Sequence, residues 1–208
     1  MNCEGLDGRV THFDTDKLMH TVLRLRDVEC AHHLERTKRL MQRLLDWLAG
    51  VGCLDSQCRP LDCSYIVRAA IYHDLGKIAI PDSILLKPTR LSADERRIMA
   101  AHTWLGAQMA RQLAAGEDPR YISHLTDICT SHHENWDGSG YPVGLKENDI
   151  PYSARLMHIV DVYDALVSQR PYKEAFTHME AVAIMKAGRG THFDPAILDV
   201  FIAHLPHK

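Results

Sequence analysis

The stretch 22-VLRLRDVECAHHLERTKRLMQRLLDWL-48 decides what kind of molecule this is. Its apolar stripe runs Val22, Leu25, then positions 29, 33 and 36, then Leu40, Leu44 and Leu48, stepping by three or four as the buried face of a helix must. Positions 29, 33 and 36 are Glu29, His33 and Arg36. A face that should be apolar carries two charges and an imidazole at its middle.

The same interruption recurs along the chain. In a second helix Ile66 and Ala69 or Ala70 lead to His73, with Asp74 beside it, and in a third Ile98 leads to His102, then Leu105 and Met109. A fourth runs Ile122, Leu125, Cys129 and then His132, and a fifth runs Ala154, Met157, Asp161 and then Asp164 or Ala165. An unpartnered buried imidazole costs about 1–3 kcal/mol and an unpaired charge more, against a domain stability of only about 5–15 kcal/mol. Five helices cannot each carry such a defect independently, so these groups must compensate one another. Histidines and carboxylates converging from several helices describe a metal site, with Glu29 and His33 stacked one turn apart on a single face.

Neighbours on a helix project about 100° apart. The pairs His73–Asp74 and 132-HH-133 therefore do not suit one narrow tetrahedral site. They suit a wider cluster, in which one member of a pair reaches each of two ions or a carboxylate bridges them. Mixed imidazole and carboxylate ligands without thiolate favour Fe2+ or Mn2+ over a structural zinc.

Composition narrows the ligand. The 208 residues carry a formal charge of −3, with a pI near 6.5, so duplex nucleic acid has no basic stripe to bind and an anionic partner must be a small molecule held locally. No apolar run approaches the roughly 18 residues of a membrane span, and 1-MNCEGLDGRVTHFD-14 lacks the features of a signal peptide, which points to a cytoplasmic chain. The six cysteines form no CxxC pair and are expected to be reduced thiols.

The expected fold is all-α, a compact bundle of about seven helices with the metal cluster in its core. Thr15 or Asp16 would cap the first helix, to about Ala49; Asp62 would cap the second, stopped by Gly76; and the capping box 92-SADE-95 would open a third, to about Ala115. The fourth spans about Pro119 to Glu134 and the fifth follows Pro151 to about Ser168. The sixth begins at 177-THME-180 and the last at 194-DP-195. The connections 79-AIPDSILLKPTRL-91 and 135-NWDGSGYPVGLKENDIP-151 are the long ones. Residues 1–16 read as an N-terminal extension and 17–208 as one domain.

At 72-YHDLGK-77 and 138-GSGYP-142 the chain resembles the HD-GYP family, the branch of the HD phosphohydrolases that hydrolyses the bacterial second messenger cyclic di-GMP. The similarity extends from 26-RDVECAHHLER-36 through 101-AHTWLG-106, 132-HHENWDGSGYPVGL-145 and 155-RLMHIVDVYDALVSQRPYK-173 to 192-HFDP-195. It implies a basal site of His33, His73, Asp74 and Asp161, and a second ion held by His102, His132 and His133 with Asp74 bridging. Glu29 stands where three-metal members carry an extra carboxylate, with Asp164 a weaker contributor. Cys30 and Ala31 depart from the Thr-Gly common at that point, which bears on the third ion.

The implied activity is metal-dependent hydrolysis of cyclic di-GMP to pGpG, and with three ions onward to GMP, by attack of a metal-activated hydroxide on the phosphodiester. Asp74 and Lys77 are the catalytic candidates. Lys77 also stands to bind the phosphate, and Arg170 and Lys173 resemble the family's substrate-binding pair. Tyr141 either stacks on guanine or braces its loop, and Asp27 either touches ligand or holds Arg26. Glu134 and Asp137 either orient the ligand histidines or cap the loop, and Arg36 pairs with a ligand carboxylate or Glu29. The alternatives are a cyclic di-GMP sensor or adaptor with a protein partner at the GYP loop, and a phosphodiesterase for another cyclic dinucleotide such as cyclic GMP-AMP.

Overall fold

The computed structural model describes residues 21, 28–55, 58–169 and 174–205, with the backbone alone for 28–31. The helices are α1 (Val28–Gly50), α2 (Pro60–Ala69), α3 (Asp82–Leu85), α4 (Ala93–Ala100), α5 (His102–Leu113), α6 (Pro119–Ser131), α7 (Tyr152–Val167), α8 (His178–Ala187) and α9 (Pro195–His204). Among the described residues there is no strand beyond one isolated bridge, between Arg189 and Phe193. None of the described helices is long and apolar enough to cross a membrane. The expected start of the first helix and the boundary at 16/17 lie outside the described residues.

Several helix starts follow local chemistry. Ser92 Oγ accepts the amide of Glu95 while Glu95 accepts that of Ser92, and Thr177 and Glu180 repeat the exchange. Asp194 and Asp118 cap α9 and α6, each followed by a proline whose missing N–H falls where no helical bond is needed. Asp62 corrects the expectation: α2 begins at Pro60, and Asp62, already in its first turn, reaches back to accept the amide of Arg59 at 2.9 Å.

The core is enclosed by α1, α2, α6 and α7, with α5 against α6 and α9 against α1. On α1 the fully buried face is Leu34, Thr37, Met41, Leu44, Leu45 and Leu48. His33 and Arg36 therefore lie on the flank of that face, only partly buried. The interrupted stripe was the shoulder of the helix, which faces α7.

The second helix does not continue to Leu75. It ends at Ala69, and the chain passes through a 3-10 turn at Ala70–Tyr72, then His73 and Asp74, then another at Leu75–Ala79. Gly76 is set against α5 so closely that a Cβ there would lie 1.9 Å from the carbonyl oxygen of His102 and 2.5 Å from the amide nitrogen of Gly106. The expected third helix is likewise divided, with Ala101 separating α4 from α5. The buried face of α5 is His102, Thr103, Gly106, Ala107 and Ala110, small residues that admit this crossing, and Ile98 is exposed. The crossing delivers His102 to Asp74.

Candidate metal centre

Three donors from three separate elements form one cluster: His33 of α1, His73 of the turn after α2, and Asp161 of α7. The His33 and His73 Nε2 atoms stand 3.2 Å apart, and Asp161 Oδ1 lies 3.4 Å from the first and 3.7 Å from the second. The other ring nitrogens are committed. His73 Nδ1 donates to the Ala70 carbonyl at 2.9 Å and His33 Nδ1 to Asp164 Oδ2 at 2.7 Å. Both Nε2 atoms thus present lone pairs to each other and to a carboxylate, an arrangement that repels itself unless a cation lies among them.

Asp74, His102, His132 and His133 form the second cluster, from the same turn, the start of α5 and the end of α6. Asp74 Oδ1 lies 3.3 Å from His102 Nε2 and 3.7 Å from His132 Nε2, while its Oδ2 lies 3.3 Å from His73 Nε2. One carboxylate therefore borders both clusters. The tight turn lets adjacent His73 and Asp74 serve different clusters, whereas 132-HH-133, expected to divide between two ions, enters one cluster: it follows the last residue of α6, with His132 as its C-cap, and the two rings lie 4.0 Å apart. His102 and His132 donate Nδ1 to the carbonyls of Met99 and Ile128, at 2.7 and 2.8 Å.

Buried Asp74 Oδ1, His102 Nε2 and His132 Nε2 make no hydrogen bond. Three orphaned acceptors facing one another would each cost about 1–3 kcal/mol, and a shared cation satisfies all of them. Donors about 2.1 Å from one ion stand about 3.0–3.4 Å apart, close to the spacing here. The donor set, five imidazoles and two carboxylates without thiolate, fits divalent transition ions. The field agrees. Burial alone would raise the Asp74 carboxyl, but Lys77 and His73 hold it well below the usual range. Burial pushes His102 down to about 4 and His133 lower still, so both are neutral ligands at physiological pH. Burial also opposes charge on His73, yet Asp74 and Asp161 outweigh it and raise its pKa.

Supporting contacts fix the donors. Asp164 is not a free ligand: Oδ1 accepts Arg36 Nε at 2.6 Å, and Oδ2 accepts Arg36 Nη2 at 2.9 Å as well as His33. It orients His33, and Arg36 fixes it. Lys77 Nζ donates to Asp74 Oδ2 at 2.5 Å with its side chain 37% exposed, so the ammonium lies at the rim of the site. Glu134 turns away from the histidines and accepts the amides of Val143, Gly144 and Leu145 at 2.8–3.2 Å, and Asp137 accepts that of Ser139. Both anchor the loop. Tyr141 lies against His133, ring centroids 4.7 Å apart and planes 27° apart.

Glu29 lies in the first turn of α1, its side chain outside the described residues, as are Asp27, Arg170 and Lys173. One buried contributor escaped sequence reasoning. His158 donates Nδ1 to the backbone carbonyl of His132 at 2.9 Å, and burial lowers its pKa to about 4. Its place on α7 one turn before Asp161 was a weak signal, because its partner is a backbone atom 26 residues away.

Comparison with known proteins agrees with this geometry. The family model described as HD domain matches residues 24–197. A Vibrio cholerae protein named a probable cyclic di-GMP phosphodiesterase is 45% identical over 179 residues, 85% of this chain and 41% of that protein. Another from the same organism, named 3'3'-cGAMP-specific phosphodiesterase 2, is 36% identical over 86% of this chain and 32% of its own length. The chain thus spans less than half of the relatives it matches. Among solved structures, an HDG"Y"P protein from Bdellovibrio bacteriovorus superposes with a TM-score of 0.60 at 17% identity, over 92% of this chain and 61% of that one, a likeness of fold. The chain belongs to the HD-domain family, and 72-YHDLGK-77 with 138-GSGYP-142 is where it resembles the HD-GYP branch.

Proposed function

We propose that this chain hydrolyses cyclic di-GMP to pGpG, and with a third ion at Glu29 onward to GMP. The carrying observation is the pair of adjoining clusters bordered by one carboxylate, Asp74, with three orphaned buried acceptors turned into the second. Divalent ions, Fe2+ or Mn2+, held there would activate water and neutralise phosphoryl charge. His33, His73 and Asp161 would hold one ion and His102, His132 and His133 the other, with Asp74 shared. Lys77, bonded to Asp74 and reaching the rim, supplies a cation and a proton donor for a phosphoryl or leaving oxygen. Arg170, Lys173 and Asp27 are further candidates for gripping the dinucleotide. In the net reaction water adds its oxygen to phosphorus, the ribose oxygen departs, and that oxygen takes a proton. The curated relatives' names support the substrate class.

The test is anaerobic metal analysis of the purified protein, followed on the same sample by chromatography of products after incubation with cyclic di-GMP. Two or three ions per chain, with pGpG or GMP formed by the wild type and neither by Asp74→Ala, is the expected result. A fully metallated protein that binds the dinucleotide and leaves it intact would overturn the reading. The relative named for 3'3'-cGAMP favours a second one. Equal amounts of the two dinucleotides in one reaction decide it: preferential loss of cyclic GMP-AMP would move the assignment there.

A further inference from the structure

Four of the five clustered histidines are oriented by a hydrogen bond from Nδ1: His33 to Asp164, His73 to Ala70, His102 to Met99 and His132 to Ile128. Among the described residues His133 has no such bond. Its ring is instead packed between three others. His132 lies 4.0 Å away and His102 meets it edge-on at 5.2 Å, while Tyr141 covers it at 4.7 Å in a stacked orientation.

The loop carrying Tyr141 is fastened to the ligand's own backbone. The Tyr141 amide donates to the His133 carbonyl at 3.2 Å. The chain can approach this closely because residue 140 is glycine: a Cβ there would lie 2.3 Å from the Asn135 amide nitrogen and 2.5 Å from the His133 oxygen. Glu134, next to the ligand, collects the three amides that follow the Tyr-Pro pair. Residues 133 and 134 thus hold both ends of the segment that presses an aromatic ring back onto residue 133.

We propose that Tyr141 is a positioning residue for the metal, a clamp that sets the plane of His133 and thereby the affinity of the ion in the Asp74, His102, His132 and His133 cluster. Its stacked face is occupied by the ligand ring and is not open to a guanine base. This rests on the reading of the clusters as a metal centre.

Mn2+ titration of the metal-free protein under anaerobic conditions, with free Mn2+ followed by electron paramagnetic resonance, tests it in wild type, Tyr141→Phe, Tyr141→Leu and Tyr141→Ala. The wild type should show two classes of ion. Tyr141→Ala should weaken one class by about 10–100-fold, as lost orienting contacts do, and leave the other unchanged. Tyr141→Phe should keep both, since the flat ring and not the hydroxyl does the work; Tyr141→Leu, which fills the space without a flat face, should follow Ala. Excess Mn2+ should restore kcat in Tyr141→Ala with KM for cyclic di-GMP unaltered. Wild-type Mn2+ binding in Tyr141→Ala together with a raised KM would overturn the clamp in favour of base stacking. A wild type that binds no Mn2+ would overturn the metal centre itself and the clamp with it.

Discussion

Gly76→Ala offers a stringent test of how packing makes the site. The new Cβ would stand 1.9 Å from the His102 carbonyl oxygen, 2.5 Å from the Gly106 nitrogen and 2.7 Å from the His102 carbonyl carbon, all backbone atoms with no rotamer to yield. Ordinary contact begins near 3.4 Å, so the turn and α5 must separate by about 1.5 Å. Overpacking costs about 1–3 kcal/mol, and rigid backbone on both sides places this substitution at the upper end. For a chain of 208 residues about 3 kcal/mol lowers Tm by roughly 6–12 °C. The separation also draws His102 away from Asp74, now 3.3 Å apart, and displacement of about 1 Å in a catalytic constellation costs about 100-fold in rate. Calorimetric melting and metal analysis of the same preparation measure both effects. Gly76→Ala that melts within about 1 °C of wild type and retains every ion would refute the argument that this crossing positions His102.

Asp164→Asn should weaken the ion held by His33, His73 and Asp161 by about 10–100-fold while sparing the second, because Asp164 touches only His33 among the clustered donors; competition with a chelator resolves the two, and equal loss from both would contradict the assignment. Asp62 is buried, and although burial opposes its charge, the Arg59 amide and guanidinium and Arg120 hold its pKa below the ordinary value. A lowered folded-state pKa means stabilisation fully present above about pH 3.9 and lost as pH falls through the folded value. Asp62→Asn should therefore cost about 1–3 kcal/mol at pH 7, and the gap to wild type should narrow below about pH 4; denaturant titrations at pH 7 and pH 3 giving the same gap would exclude this role.

The sequence by itself determined the all-helical architecture and the cast of the site. Caps such as Ser92, Thr177 and Asp194 act within one turn, so their chemistry is complete in four or five residues and legible without the fold. The donors were legible because polar groups on apolar faces need one another, and all seven core candidates meet in two clusters. The resemblance already divided these donors between two ions as the clusters divide them, and tertiary structure alone decided how the chain brings each donor to its cluster. His73 and Asp74 part company because a helix gives way to a turn where Gly76 meets α5, and that contact lies between residues 26 and 30 positions apart. The periodicity through Ile98, Leu105 and Met109 suggested a core face that this crossing moved to Gly106 and Ala110. Asp164 as the brace of His33, His158 on the His132 carbonyl and Glu134 on three loop amides could not be assigned from the pattern. A hydrophobic stripe records how each helix meets the core as a whole. A hydrogen bond to a distant backbone atom selects no residue type at its far end, so only the folded chain reveals it.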